Sequence, residues 1–149
     1  MKYLVILFAV AASSFWGLSS FSSSSEIASA SKGVTGGISF NNWTLEKAKS
    51  EAKKKKKKIF IDVYTTWCGP CKEMAKTTFT DSEVGKLFND KFVNVKMDAE
   101  NDTDGSLISS SYKVTAYPTL LFLDENGKLI KKLVGKQSKE KLIQVAQGL

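Results

Sequence analysis

Apolar residues recur at two spacings along this chain, and the alternation between them predicts the elements. Leu45, Ala48 and Ala52 fall at helical spacing behind Asn42, a residue suited to cap a helix running to about position 56. Ile59, Phe60, Ile61 and Val63 then form an apolar run on both faces, which reads as a buried central strand over 59–64. Asp62 interrupts that run. A helix is predicted through Met74 and Ala75, with Pro70 at an early position where its missing N–H costs nothing. Asp81 or Thr80 caps the next helix, whose Val84, Leu87 and Phe88 point inward. A second strand of the parallel kind reads over 92–97, a polar loop over 101–105 and a short helix over 106–112. Residues 119–123 and 128–134 are strands around Asp124-Glu125-Asn126-Gly127, whose Asn-Gly is a hairpin signal. Ser138 caps a last helix that repeats Leu142, Val145, Ala146 and Leu149 on one face.

Strand–helix alternation followed by a hairpin predicts an α/β class. The expected core is a central mixed β-sheet, parallel at first and antiparallel at one edge, flanked by helices on both faces. One domain over 42–149 accommodates all of these elements. Residues 31–41 are rich in glycine and serine and read as a flexible lead-in.

The start of the chain reads differently. Lys2 precedes an apolar run over 3–18, and Ala28-Ser29-Ala30 offers a small-residue cleavage pattern. The run is shorter than the roughly 20 residues that span a bilayer. Residues 1–30 are therefore read as an export signal, with a retained anchor as the alternative. Export places the protein in a periplasm or otherwise outside the cytosol, where disulfides persist.

Charge changes the picture little. The net charge is +7, and six lysines stand in one run over 53–58. A basic surface patch is one reading. A solvated helix end is the preferred one, since lysines suit the negative end of the helix dipole. No arginine or aromatic residue interleaves the run as a base-stacking surface requires, so no nucleic-acid partner is expected. The chain has no histidine and two cysteines, which excludes a four-ligand zinc site within one chain. No metal or cofactor is expected.

Both cysteines lie in Trp67-Cys68-Gly69-Pro70-Cys71-Lys72. A disulfide across so small a loop removes little unfolded-state entropy, so a purely structural bridge is a weak reading. Thiol–disulfide exchange is the stronger one. Cys68, at the helix start, is the candidate nucleophile, because unpaired N–H groups there favour a thiolate. It is also expected to be the more exposed sulfur, with Cys71 one turn inside as the resolving thiol. Asp62 leads directly to the motif. If buried, its carboxyl titrates high and can exchange a proton with Cys71; if edge-facing, it is merely solvated. Tyr117-Pro118 precedes an apolar strand. A cis bond there costs little, yet trans is the commoner expectation. With a cis bond, the Tyr117 main chain would be open to an extended substrate. Trp67 either shields Cys68 and meets substrate or packs in the core.

With these residues in view, the chain from Asn42 to Leu149 resembles the thioredoxin superfamily. Its active-site sequence matches Trp67 to Lys72 residue for residue, Asp62 falls where the family keeps a buried acid, and Tyr117-Pro118-Thr119 falls at its cis-proline. The resemblance implies a thioredoxin-like fold, catalysis by Cys68 and Cys71 with Asp62 in support, and substrate binding by Trp67, Gly69, Pro70, Tyr117 and Pro118. It also implies protein disulfide substrates and an external, membrane-bound thiol electron donor. The likeness is nearest to exported bacterial thioredoxin-like proteins that reduce or isomerise disulfides, and Gly69-Pro70 resembles the reducing members. Two departures stand out. At the place of the family's lysine near the buried acid stands Asn94, with Lys96 two residues on along the same strand face as a candidate substitute, and Tyr117 replaces the usual isoleucine. A monomer is expected. The competing reading is a peptide-binding or chaperone-like module whose cysteines are incidental.

Overall fold

The computed structural model describes residues 36–149. The export signal read over 1–30, and residues 31–35 of the lead-in, lie outside the described residues. Helices α1 (Leu45–Lys55), α2 (Gly69–Lys76), α3 (Ser82–Lys91), α4 (Gly105–Ser111) and α5 (Lys139–Gln147) are interleaved with four strands. These are β1 (Lys58–Tyr64), β2 (Phe92–Asp98), β3 (Thr119–Leu123) and β4 (Leu129–Val134). They form one sheet in the order β2-β1-β3-β4. β1 runs parallel to β2 and antiparallel to β3, and β4 closes the edge antiparallel to β3.

The dense apolar run of β1 follows from its place. Successive side chains of a strand point to opposite faces. Ile59, Ile61 and Val63 pack with Ala48 and Ala52 of α1, Ile108 of α4 and Val95 of β2. Phe60 packs on the other face with Met74 of α2, Phe88 of α3, Leu142 of α5 and Phe122 of β3. The mixed sheet with helices on both faces is thus present as read from the sequence. Asp62 is two residues beyond Phe60, so it faces the α2 side.

Element ends shift by a residue or two, and α5 stops at Gln147, short of Leu149; two further differences have a packing cause. Helix α1 is capped by Thr44, whose hydroxyl accepts the Lys47 N–H at 3.3 Å, and not by Asn42. The cause lies just upstream. Asn41 is still extended, donating its N–H to Asn94 O at 3.0 Å and accepting the Lys96 N–H at 3.1 Å, so the helix cannot begin until the chain leaves β2. The flexible lead-in is corrected from residue 36 onward. Ile38 is buried and donates its N–H to Phe79 O at 2.7 Å. Gly37 lies so close to the main chain of Phe79 and Thr80 that a Cβ would collide, and Gly85 of α3 meets Gly37 in the same way. These glycines serve close main-chain approach.

Candidate active site

β1 delivers the chain at Tyr64 into the loop that carries the cysteines, and α2 begins at Gly69. Cys68 is the N-cap of α2, with φ −71° and ψ 109°. Its Sγ accepts the Cys71 N–H at 3.2 Å, so a free donor of the first turn points at that sulfur. Pro70 fills an early helical position, as read from the sequence. Cys68 and Cys71 are joined as a disulfide with Cα atoms 5.3 Å apart. The expectation that Cys68 is the more exposed sulfur is corrected, since both residues are 3% exposed. Thr66, Trp67, Gly69 and Pro70 carry the exposure of this loop.

Asp62 is completely buried. Neighbours β2 and β3 flank β1 on both sides, which removes the reading of Asp62 as a solvated edge residue. Neither carboxylate oxygen has a hydrogen-bond partner. Lys96 Nζ approaches Oδ2 at 3.4 Å, a charge contact without hydrogen-bond geometry. Desolvation pushes the carboxyl up from 3.8 to about 6, against the opposing pull of the Lys96 charge. The acid therefore titrates near neutrality on the face where α2 lies.

Of the two candidates on β2, Lys96 and not Asn94 takes the place beside the acid. In the β1–β2 register Asp62 pairs with Lys96, whereas Asn94 pairs with Phe60. The lysine beside the buried acid is thus present, and Asn94 instead donates to Phe88 O and Asn89 Oδ1. Three rings hold Lys96 Nζ in place: Tyr64 at 4.6 Å, Phe40 at 5.6 Å and Phe79 at 5.9 Å from their centroids.

The peptide bond Tyr117–Pro118 is cis. Val63 pairs with Thr119, so Pro118 stands at the end of β1 from which the chain enters the cysteine loop. Pro118 is buried and Tyr117 half-buried. Trp67 is 64% exposed, which rules out ordinary core packing. Its ring meets Tyr117 edge to face at 5.9 Å, and its indole N–H donates to both carboxylate oxygens of Glu100 at 3.1 Å. Asp98 sets that loop, accepting the N–H groups of Glu100 at 2.9 Å and Asn101 at 3.2 Å. Burial pulls the Asp98 carboxyl upward, but the bonds from Asn101 and Glu100 outweigh it and leave it below its ordinary value. Sequence reasoning missed Glu100 and Phe40. A trace of the first existed in Asp98-Ala99-Glu100-Asn101, a turn-forming stretch right after a strand. Among the described residues no cluster of His, Cys, Asp or Glu could hold a metal ion.

Comparison with known proteins agrees with this geometry. The family model described as a thioredoxin-like domain matches residues 45–148. A proposed disulphide-isomerase from Bacteroides thetaiotaomicron, known in solution, is 42% identical, covers 76% of this chain and 94% of its own, and superposes with a TM-score of 0.67. The thiol:disulfide interchange protein DsbD of Haemophilus ducreyi is 38% identical over 72 residues, 48% of this chain and 12% of that protein. Thioredoxin Y of Oryza sativa is 31% identical over 113 residues, 76% of this chain and 63% of that one. The chain thus spans a small part of the interchange protein and under two thirds of the rice thioredoxin.

Proposed function

From the premise that the chain belongs to the thioredoxin-like family of disulfide oxidoreductases, we propose that it is an exported reductase or isomerase of protein disulfides. The observation that carries this is the redox pair at a helix N-terminus, with the Cys71 N–H directed at Cys68 Sγ. The same dipole and donors that hold Sγ favour a thiolate there once the pair is reduced. The Cys68 thiolate attacks one sulfur of a substrate disulfide. A mixed disulfide forms as the substrate S–S bond breaks, and one substrate thiolate leaves and takes a proton from water. Cys71, its proton passed to Asp62 through water, attacks Cys68 Sγ. The second substrate thiolate leaves, and two electrons have passed from the Cys68–Cys71 pair to the substrate. With a carboxyl near 6, Asp62 is a competent base at neutral pH. A membrane-bound dithiol donor would return the pair to the reduced state.

Trp67, Tyr117 and Pro118 supply the surface for an extended substrate chain, and Gly69 leaves the approach to the sulfurs open, since a Cβ there would meet nothing. The N-terminal segment supports export by its own composition, and the interchange-protein likeness supports the chemistry. We read the protein as a monomer. Reduction of a protein disulfide by dithiothreitol tests the function. The chain should accelerate it, Cys68→Ser should abolish the acceleration, and Cys71→Ser should trap the substrate as a mixed disulfide on Cys68. Full acceleration by Cys68→Ser would overturn the reading, and binding of an extended chain without exchange activity, unchanged by Cys68→Ser, is the outcome the binding-module alternative predicts.

A further inference from the structure

The lysine run over 53–58 does not serve the site just described. It lies at the other end of β1, which at about 3.3 Å per residue puts roughly 20 Å between the two. The run spans the end of α1, a turn and the start of β1. Lys56 adopts φ 54°, in the left-handed region, and reverses the chain there. As a result Lys53, Lys56, Lys57 and Lys58 face one concave pocket of about 640 Å³, and Lys91 at the end of α3 joins them. That volume is within the range of about 300–1,000 Å³ for small-ligand pockets.

Five lysines line this pocket with a single acidic side chain, that of Glu125. Among the described residues none of the five pairs with an aspartate or glutamate side chain. Lys55, in the same run, instead reaches Glu51 on the helix. Three of the pocket lysines are pinned by main-chain oxygens: Lys57 by Asn89 at 2.8 Å, Lys58 by Leu149 at 2.6 Å and Lys91 by Ala146 at 2.6 Å. Each such ammonium keeps two donors for another partner. Gathering five like charges around one concave site is unfavourable unless an anion relieves it, and pinned side chains lose less freedom on binding.

We propose that this pocket binds a phosphate-bearing polyanion, either a free di- or triphosphate or a phospholipid headgroup. Lysines present point charges suited to phosphate oxygens, whereas planar carboxylates favour the arginine fork. The chain contains no arginine. Occupation leaves the disulfide at the far end of the sheet free to react.

Titration calorimetry of the full chain with tripolyphosphate at low salt tests the site. We expect saturable binding that weakens about tenfold in Lys53→Gln/Lys56→Gln. The control Lys86→Gln/Lys131→Gln, of equal net charge, should bind as the parent does. Dithiothreitol-driven disulfide reduction should be unchanged in both. Sedimentation with phosphatidylglycerol vesicles, compared with phosphatidylcholine, separates the sources. Retention that tripolyphosphate displaces indicates the headgroup, and no retention beside tight tripolyphosphate binding indicates the free ion. Equal weakening by the two variants, no saturable binding, or equally tight binding of polyglutamate would overturn the proposal.

Discussion

Replacing Asp62 by asparagine removes a buried charge while keeping the side chain's shape. The carboxyl is completely buried, lacks hydrogen bonds, and has Lys96 at 3.4 Å as its charge partner. Folding raises its pKa from 3.8 to about 6. At about 1.36 kcal/mol per pH unit, ionising Asp62 in the folded protein costs about 3 kcal/mol. The raised pKa means the folded state binds this proton more tightly than the unfolded state. Its contribution is fully present below 3.8 and is lost as pH rises through about 6. Urea unfolding of the oxidised chain, with the disulfide intact, should therefore show Asp62→Asn and the parent equally stable at acid pH. The variant should become more stable by up to about 3 kcal/mol at about pH 8. On the proposed role of Asp62 as base to Cys71, the same variant should reduce protein disulfides more slowly at neutral pH. An asparagine variant less stable than the parent at about pH 8, or a difference that does not change with pH, would refute the reasoning.

Three further outcomes follow from the geometry. Lys96→Met leaves Asp62 without its charge partner, so unfolding at neutral pH should become easier by about 1–3 kcal/mol, below the range for fully buried pairs because Lys96 is 24% exposed. In the same variant the pH midpoint of disulfide reduction should move upward. Trp67→Ala removes an exposed ring, so stability by urea unfolding should change by less than about 1 kcal/mol, while KM for a protein disulfide rises and reaction with dithiothreitol does not. Gly85→Ala drives a Cβ into the main chain of Gly36 and Gly37, and its urea midpoint should fall by the equivalent of about 1–3 kcal/mol.

Much of this molecule was legible because each strand and helix carries its own period. The run Ile59 to Val63 demanded a strand buried on both faces, and Cys68 and Pro70 marked a helix start. What eluded the sequence depended on relations between segments. Asn94 was matched to the lysine position because counting along β2 does not give its register against β1, and register is what sets Lys96 beside Asp62. Gly37 looked like mobility, since its use as a close contact is visible only once Phe79 and Gly85 are packed beneath it. Phe40 carried no local signal for its place over Lys96. The lysine run read as an ordinary helix end until Lys56 turned it around a pocket shared with Lys91.

The central claim is that Cys68 and Cys71 form a reducing redox pair, and its most direct test is their equilibrium potential against dithiothreitol or glutathione buffers. The account predicts a value at the thioredoxin end, about −270 mV. A value near about −120 mV would make the chain an oxidant and contradict it.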